Sequence, residues 1–150
     1  MTQNILLLCH VEEMFRRYFP DKMYVNRLIR ACYSSKYSKV IALVSGVEDW
    51  EPIEEIKHLV TETIDFSWGY EPESFLHDEE DELPWLIDAS HKSAHEYTWV
   101  PPEFRCPSFF HDTNIFVGGG CDGECLADLE VVLEHLGLDY TRVEGYIYGA

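Results

Sequence analysis

Residues 113–149 constrain the fold most, because they read strand, glycine-rich turn, helix and strand in succession. The run 113–117 is β-branched and aromatic, which favours a buried strand. The glycines of 118–123 allow a sharp turn and a close backbone approach. A helical pattern starts at Glu124 and ends at Gly137, and a second strand follows at 140–148. The segment therefore predicts a parallel βαβ unit.

The predicted helix has an apolar face, and its first turn contains a cysteine. Its leucines recur at helical spacing and its acidic residues lie mostly outside that face: Leu126, Leu129, Leu133 and Leu136 against Asp128, Glu130 and Glu134. Free N–H groups and the helix dipole lower the pKa of a thiol at this position and hold anions. Cys125 is thus predicted to be a nucleophile, with a cysteine that only packs the helix start as the alternative.

The N-terminal half repeats the alternation of strands and helices. Continuous apolar runs at 4–9 and 39–45 are typical of strands covered on both faces. Helical spacing follows each run, first in Tyr24, Val25, Leu28, Ile29 and Cys32, and then in Ile53, Ile56, Leu59, Val60 and Ile64. We therefore expect one α/β domain over residues 1–150, a three-layer sandwich with a mostly parallel central sheet and Rossmann-like topology.

Three side chains fall directly after predicted strands or open the helix that follows one. They are His10, Asp49 and Cys125. Ligands of open parallel sheets bind beyond the carboxyl ends of the strands. We therefore expect all three residues to face one crevice.

The charge of the chain is strongly negative and unevenly distributed. The formal net charge is −17, and no Lys or Arg lies between Lys57 and Lys92. This composition predicts an irregular acidic insertion at about 66–107. Its acidic stretch, 71–88, is interpreted as a solvated loop, with a docking surface for a basic protein partner as the alternative. The charge argues against direct binding of nucleic acid or anionic membranes.

The cysteines and the hydropathy of the chain indicate in which cellular compartment the protein lies. Five scattered cysteines favour free thiols in a reducing environment, and no apolar run has the length of a membrane span. A cytoplasmic location is therefore expected. The oligomeric state stays open, a homo-oligomer included.

Three segments resemble motifs of the isochorismatase/nicotinamidase-like cysteine hydrolases. Residues 5–15, Ile-Leu-Leu-Leu-Cys-His-Val-Glu-Glu-Met-Phe, resemble the family's first strand. The strand 40–44 with Glu-Asp-Trp-Glu-Pro at 48–52 resembles its second strand and the turn after it. The segment from Ile115 resembles its last motif, in which a strand ends in Gly and the catalytic Cys lies six residues later. Counting from Gly119 reaches Cys125.

This resemblance, which spans most of the chain, implies an isochorismatase-like, Rossmann-like topology and hydrolysis of a small amide or related bond through Cys125. It places His10 at the general-base position, where the family has Asp, and Lys92 at the activating-lysine position. The implied oxyanion or ligand loop comprises Gly119, Gly120, Asp122, Gly123 and Glu124, and the pocket candidates are Asp49 and Trp50. Because His10 replaces the family's Asp, the alternative is a catalytically inactive relative that acts as an acidic protein-binding module.

Further patterns suggest other ligands and a source. Gly118, Gly120 and Gly123 match GxGxxG, which favours binding of a mononucleotide or anion by this loop. His91 and His95 have the spacing of two metal ligands on one helix face, but no third ligand is evident, so no metal and no cofactor is predicted. The Gly-Gly-Gly turn with Arg-Val-Glu-Gly-Tyr-Ile-Tyr-Gly at 142–149 resembles uncharacterised small proteins of tailed bacteriophages, which implies a location in the host cytoplasm.

Overall fold

The predicted apolar runs form neighbouring strands of one parallel sheet. The structure is a computed structural model and describes residues 2–45, 51–66 and 84–149. Its strands are β1 (Gln3–Cys9), β2 (Lys39–Val44), β3 (Glu62–Asp65), β4 (Leu86–Asp88), β5 (Tyr97–Trp99), β6 (Thr113–Gly119) and β7 (Tyr140–Ile147). The helices are α1 (Tyr24–Tyr33), α2 (Glu54–Lys57) and α3 (Cys125–His135), with 3-10 helices at Glu13–Tyr18 and Pro102–Arg105.

The order of the strands creates a switch point at the centre of the sheet. The order is β3-β2-β1-β6-β7, and every neighbouring pair is parallel. The chain moves outward from β1 to β2 and β3, and then returns to place β6 on the other side of β1. The carboxyl ends of β1 and β6 therefore flank the position where the direction of winding reverses, which is where open α/β sheets bind ligands.

Alternating residues of β1 divide the core into two halves. Ile5, Leu7 and Cys9 pack on the face covered by α3. Leu6 and Leu8 pack on the opposite face, against α1 and the residues around α2. The predicted three-layer α/β sandwich with a mostly parallel sheet is confirmed.

Two local predictions are wrong. The helix predicted to include Ile64 ends at Lys57, and Ile64 is the buried residue of the edge strand β3. The acidic residues Asp128 and Glu130, which the helical pattern places mostly outside, are only 3% and 2% exposed. The reason is that α3 is covered on more than its leucine face, because the segment around His95 contacts Asp128 and the ring hydroxyl of Tyr140 reaches Glu130.

The insertion predicted at 66–107 is partly regular where it is described. There β4 and β5 form a small antiparallel sheet of their own. The acidic stretch up to residue 83, and with it most of the predicted docking surface, lies outside the described residues. Within the described ranges, no helix combines the length and the apolar character that crossing a bilayer requires.

Candidate active site

The floor of the candidate site is the close contact between the ends of β1 and β6. Cys9 pairs with Gly119, and the Gly120 amide donates a 2.8 Å hydrogen bond to the Cys9 carbonyl. Gly119 has φ +90°, and a Cβ there would lie 2.1 Å from the Cys9 carbonyl oxygen. A Cβ on Gly120 would lie 2.4 Å from the Tyr148 ring. Both glycines are therefore required by packing. We call residues 9–12 and 119–128 together the switch-point site.

Backbone hydrogen bonds hold most of the loop between β6 and α3 in place. The Asp122 amide donates to the Tyr148 carbonyl, and the Glu124 and Leu126 amides both donate to the Cys121 carbonyl. In the part of the chain that is described, the Cys125 amide donates to no backbone carbonyl. The predicted glycine loop is thus committed largely to internal contacts, while the amides of Cys121, Gly123 and Cys125 donate to no backbone carbonyl among the described residues.

Cys125 is the first residue of α3, as the sequence predicts, but its thiol is not acidic. Burial is the largest cause that raises the pKa of Cys125 well above its ordinary value, followed by the charges of Asp128, Glu124 and Glu12. The expected lowering of this pKa by the helix N-terminus is therefore wrong, because desolvation and the carboxylates outweigh the helix dipole. A thiol in this environment stays protonated at neutral pH until a base or a cation takes its proton.

A histidine–aspartate pair lies beside this thiol. The imidazole Nδ1 of His95 is 2.5 Å from Oδ2 of Asp128, and this hydrogen bond raises the pKa of His95. One ring nitrogen of His95, Sγ of Cys125 and one oxygen of Asp128 all lie within 4.8 Å of one another. Cys125 and Asp128 share a face of α3 because they are three residues apart.

The segment that carries His95 is anchored to the glycine loop. The Ala94 amide donates a 2.8 Å hydrogen bond to the Gly123 carbonyl, and the Ser93 hydroxyl donates to the Glu124 carbonyl at 3.2 Å. The site thus joins residues thirty positions apart in the chain. Sequence reasoning paired His95 with His91 and missed its partners, although Cys125-x-x-Asp128 at the start of a helix is a signal that could have suggested one of them.

His10 lies at the same end of the sheet but has its own partner. Its φ of 50° turns the chain sharply at the end of β1, and its Nδ1 is 2.6 Å from Oε1 of the fully buried Glu12. The other oxygen of Glu12 accepts a hydrogen bond from the Ser45 amide. Since the charge of Glu12 contributes to the raised pKa of Cys125, the two groups lie within electrostatic range of each other.

The remaining predicted residues lie elsewhere. The ammonium of Lys92 is 2.6 Å from Oε2 of Glu134 and 3.1 Å from the Tyr140 hydroxyl. Glu134 is more than two helical turns beyond Cys125, so the structure does not bring Lys92 to the thiol. The pocket candidates Asp49 and Trp50 lie outside the described residues.

Comparisons of the chain with protein-family models, with curated proteins and with solved structures found no match. The chemistry of the switch-point site therefore has to be inferred from its side chains.

Proposed function

We propose that the protein hydrolyses a small amide or related acyl bond through Cys125, with His95 as general base and Asp128 as the residue that positions His95. The observation that carries the proposal is the grouping of a helix-terminal thiol, an imidazole and a buried carboxylate within 4.8 Å. The nucleophile is the one that the family resemblance implies. The base differs, because His95 approaches Cys125 together with Asp128.

The raised pKa of the thiol determines how the nucleophile is activated. A cysteine with a high pKa resembles a catalytic serine, since it needs a base that removes its proton as it attacks. His95 has the required arrangement, because Nδ1 bonds to Asp128 and Nε2 is the nitrogen that would take the thiol proton. The Asp128 charge then stabilises the imidazolium. One ring nitrogen of His95 lies within 4.8 Å of Sγ, so the proton moves directly or through one water.

The reaction divides into two balanced steps. The sulfur attacks the carbonyl carbon while its proton moves to His95, and the oxyanion forms near the Cys125 amide. The C–N or C–O bond breaks as His95 returns the proton to the leaving group, which leaves a thioester. Water then attacks the thioester with His95 as base, and the carboxylic acid and the free thiol are released.

An activated ester tests the proposal, because it acylates the nucleophile without requiring the natural substrate. We expect p-nitrophenyl acetate to leave one acetyl group on Cys125, located by peptide mass spectrometry. The experiment uses a Cys106→Ser background, since a hydrogen bond with Ser108 lowers the pKa of the exposed Cys106 and makes it a competing thiol. Cys125→Ser should lose the thioester.

Histidine variants separate the proposed base from its alternatives. His95→Ala should slow acylation by about 10²–10⁴-fold, the usual contribution of a general base. His91→Ala is the matched control on the same loop and should leave the rate unchanged. If His10→Ala abolishes acylation and His95→Ala does not, the base is His10 and the assignment of His95 is wrong. If the wild-type protein is acylated no faster than Cys125→Ser, the proposed hydrolase activity is refuted.

A further inference from the structure

The three side chains of the candidate triad are also a set of metal ligands. A thiolate sulfur, an imidazole nitrogen and a carboxylate oxygen are the donors that Zn²⁺ prefers, and sites with three protein ligands leave a fourth position open. Here the three donor atoms lie within 4.8 Å of one another. A small contraction brings them to the roughly 3–4 Å spacing of ligands around a tetrahedral zinc ion.

The carboxylate of Asp128 provides an independent indication of a cation. Asp128 is 3% exposed, and its Oδ1 atom is buried without a hydrogen-bond partner among the residues the structure describes. A buried carboxylate oxygen without a partner is costly, and native structures usually satisfy such atoms. Its other oxygen bonds only to His95 in the described ranges, and no Lys or Arg there forms an ion pair with it. A cation would satisfy both oxygens and neutralise the charge.

The charges around the three ligands have the sign that attracts a cation. Glu124 precedes Cys125, and Glu12 is fully buried at the end of β1. A divalent ion at the sulfur offsets negative charge of this kind, and a coordinating thiol loses its proton outright.

We propose that Cys125, His95 and Asp128 bind one thiophilic divalent cation, with Zn²⁺ as the representative ion. On binding, the thiol gives up its proton to the solvent, and the ion takes its place at Sγ, beside one ring nitrogen of His95 and one oxygen of Asp128. The anchoring of residues 93 and 94 to the glycine loop holds His95 near the other ligands before the ion arrives.

Direct metal titration tests the site and does not depend on catalysis. Protein freed of metal with a chelator should bind one equivalent of Zn²⁺ in competition with a chromophoric chelator and release protons as it does so. Co²⁺ should bind in its place and give the near-ultraviolet absorption of a thiolate–cobalt bond. Cys125→Ser should remove that band, and His95→Ala and Asp128→Asn should each weaken Zn²⁺ binding by at least about tenfold, since even outer-shell changes cost that much.

Matched variants identify the ligands. Cys32→Ser, on the opposite face of the sheet, and His91→Ala change the same residue types and should leave binding unchanged. Circular dichroism of each metal-free variant checks that it folds. Absence of the thiolate band in the folded wild-type protein with bound Co²⁺, or Zn²⁺ affinity that falls in His91→Ala and not in His95→Ala, would overturn the proposed site.

A second measurement relates the ion to the proposed hydrolysis and rests on that proposed function. Because Zn²⁺ coordinates the sulfur and blocks its attack on the ester, stoichiometric Zn²⁺ should stop acetylation of Cys125. A chelator should restore it. Metal binding that requires Cys125, together with no acylation in metal-free protein, would refute the hydrolase and support the metal site. Acylation that is insensitive to Zn²⁺, with no thiolate–cobalt band, would refute the metal site and support the hydrolase.

Discussion

Replacing Gly119 by alanine should destabilise the protein strongly, because Gly119 lies where β6 touches β1 in the switch-point site. A Cβ there would lie 2.1 Å from the Cys9 oxygen, 2.6 Å from its nitrogen and 2.8 Å from its carbonyl carbon. All three are backbone atoms of the central strand, so no side chain can rotate away. The residue also has φ +90°, which L-amino acids rarely adopt.

The cost follows from the conformational strain and the overlap. A side chain at this φ costs about 1–2 kcal/mol, and forced overpacking costs about 1–3 kcal/mol. Separation of the strands also breaks the hydrogen bond from Gly120 to Cys9, worth about 1 kcal/mol. We expect a loss of about 3–6 kcal/mol, a large fraction of the roughly 5–15 kcal/mol that stabilises a typical domain.

Gly123→Ala is the matched control. Gly123 has φ +81°, but among the described residues no atom beyond its chain neighbours lies within 4 Å of the Cβ it would gain. It should therefore show only the conformational cost of about 1–2 kcal/mol. Urea unfolding followed by tryptophan fluorescence gives both free energies of unfolding. If the two variants lose the same free energy of unfolding, within about 0.5 kcal/mol, the overlap between the added Cβ at position 119 and the Cys9 backbone is refuted.

Two further predictions concern a buried hydroxyl and an exposed thiol. Tyr148→Phe removes the hydroxyl that donates to the buried His10 carbonyl at 2.5 Å, so the free energy of unfolding, measured by calorimetry, should fall by about 1–3 kcal/mol. Tyr33→Phe is the control and should change this free energy little, because the Tyr33 ring is 73% exposed. Iodoacetamide near neutral pH should alkylate Cys106 before Cys125, because the pKa of Cys106 is lowered and that of Cys125 is raised. Ser108→Ala should slow the labelling of Cys106, and first labelling at Cys125 in a mass-spectrometric time course would contradict the prediction.

The central strands could be predicted because their burial is a local property of the sequence. The runs at 4–9, 39–45 and 113–117 are mostly apolar, and all three are parallel strands. The edge strand β3 could not be predicted in this way. Ile56, Val60 and Ile64 recur every four residues, which is typical of a helix, while only Ile64 among the residues of β3 is buried. Pairing with β2 decided its conformation.

The position of Cys125 was predictable, whereas its environment was not. A glycine turn followed by helical spacing places a cysteine at the start of α3 in the sequence alone. The pKa of its thiol depends on Glu12 at the end of β1 and on the depth of burial, neither of which the local pattern contains. The same limit applies to Asp128, since its position outside the leucine face indicated a solvated carboxylate.

The sequence by itself determined the α/β class, the parallel βαβ unit and the cysteine that opens its helix. Periodicity and turn residues act within a few positions of the chain, so they can be recognised in the sequence without the fold. The tertiary structure decided which side chains meet at the switch point. It brought His95 to Cys125 and Asp128, it gave His10 the partner Glu12, and it held Lys92 at Glu134. These pairs join distant segments, and their chemistry arises from burial and charge that exist only after the chain has folded.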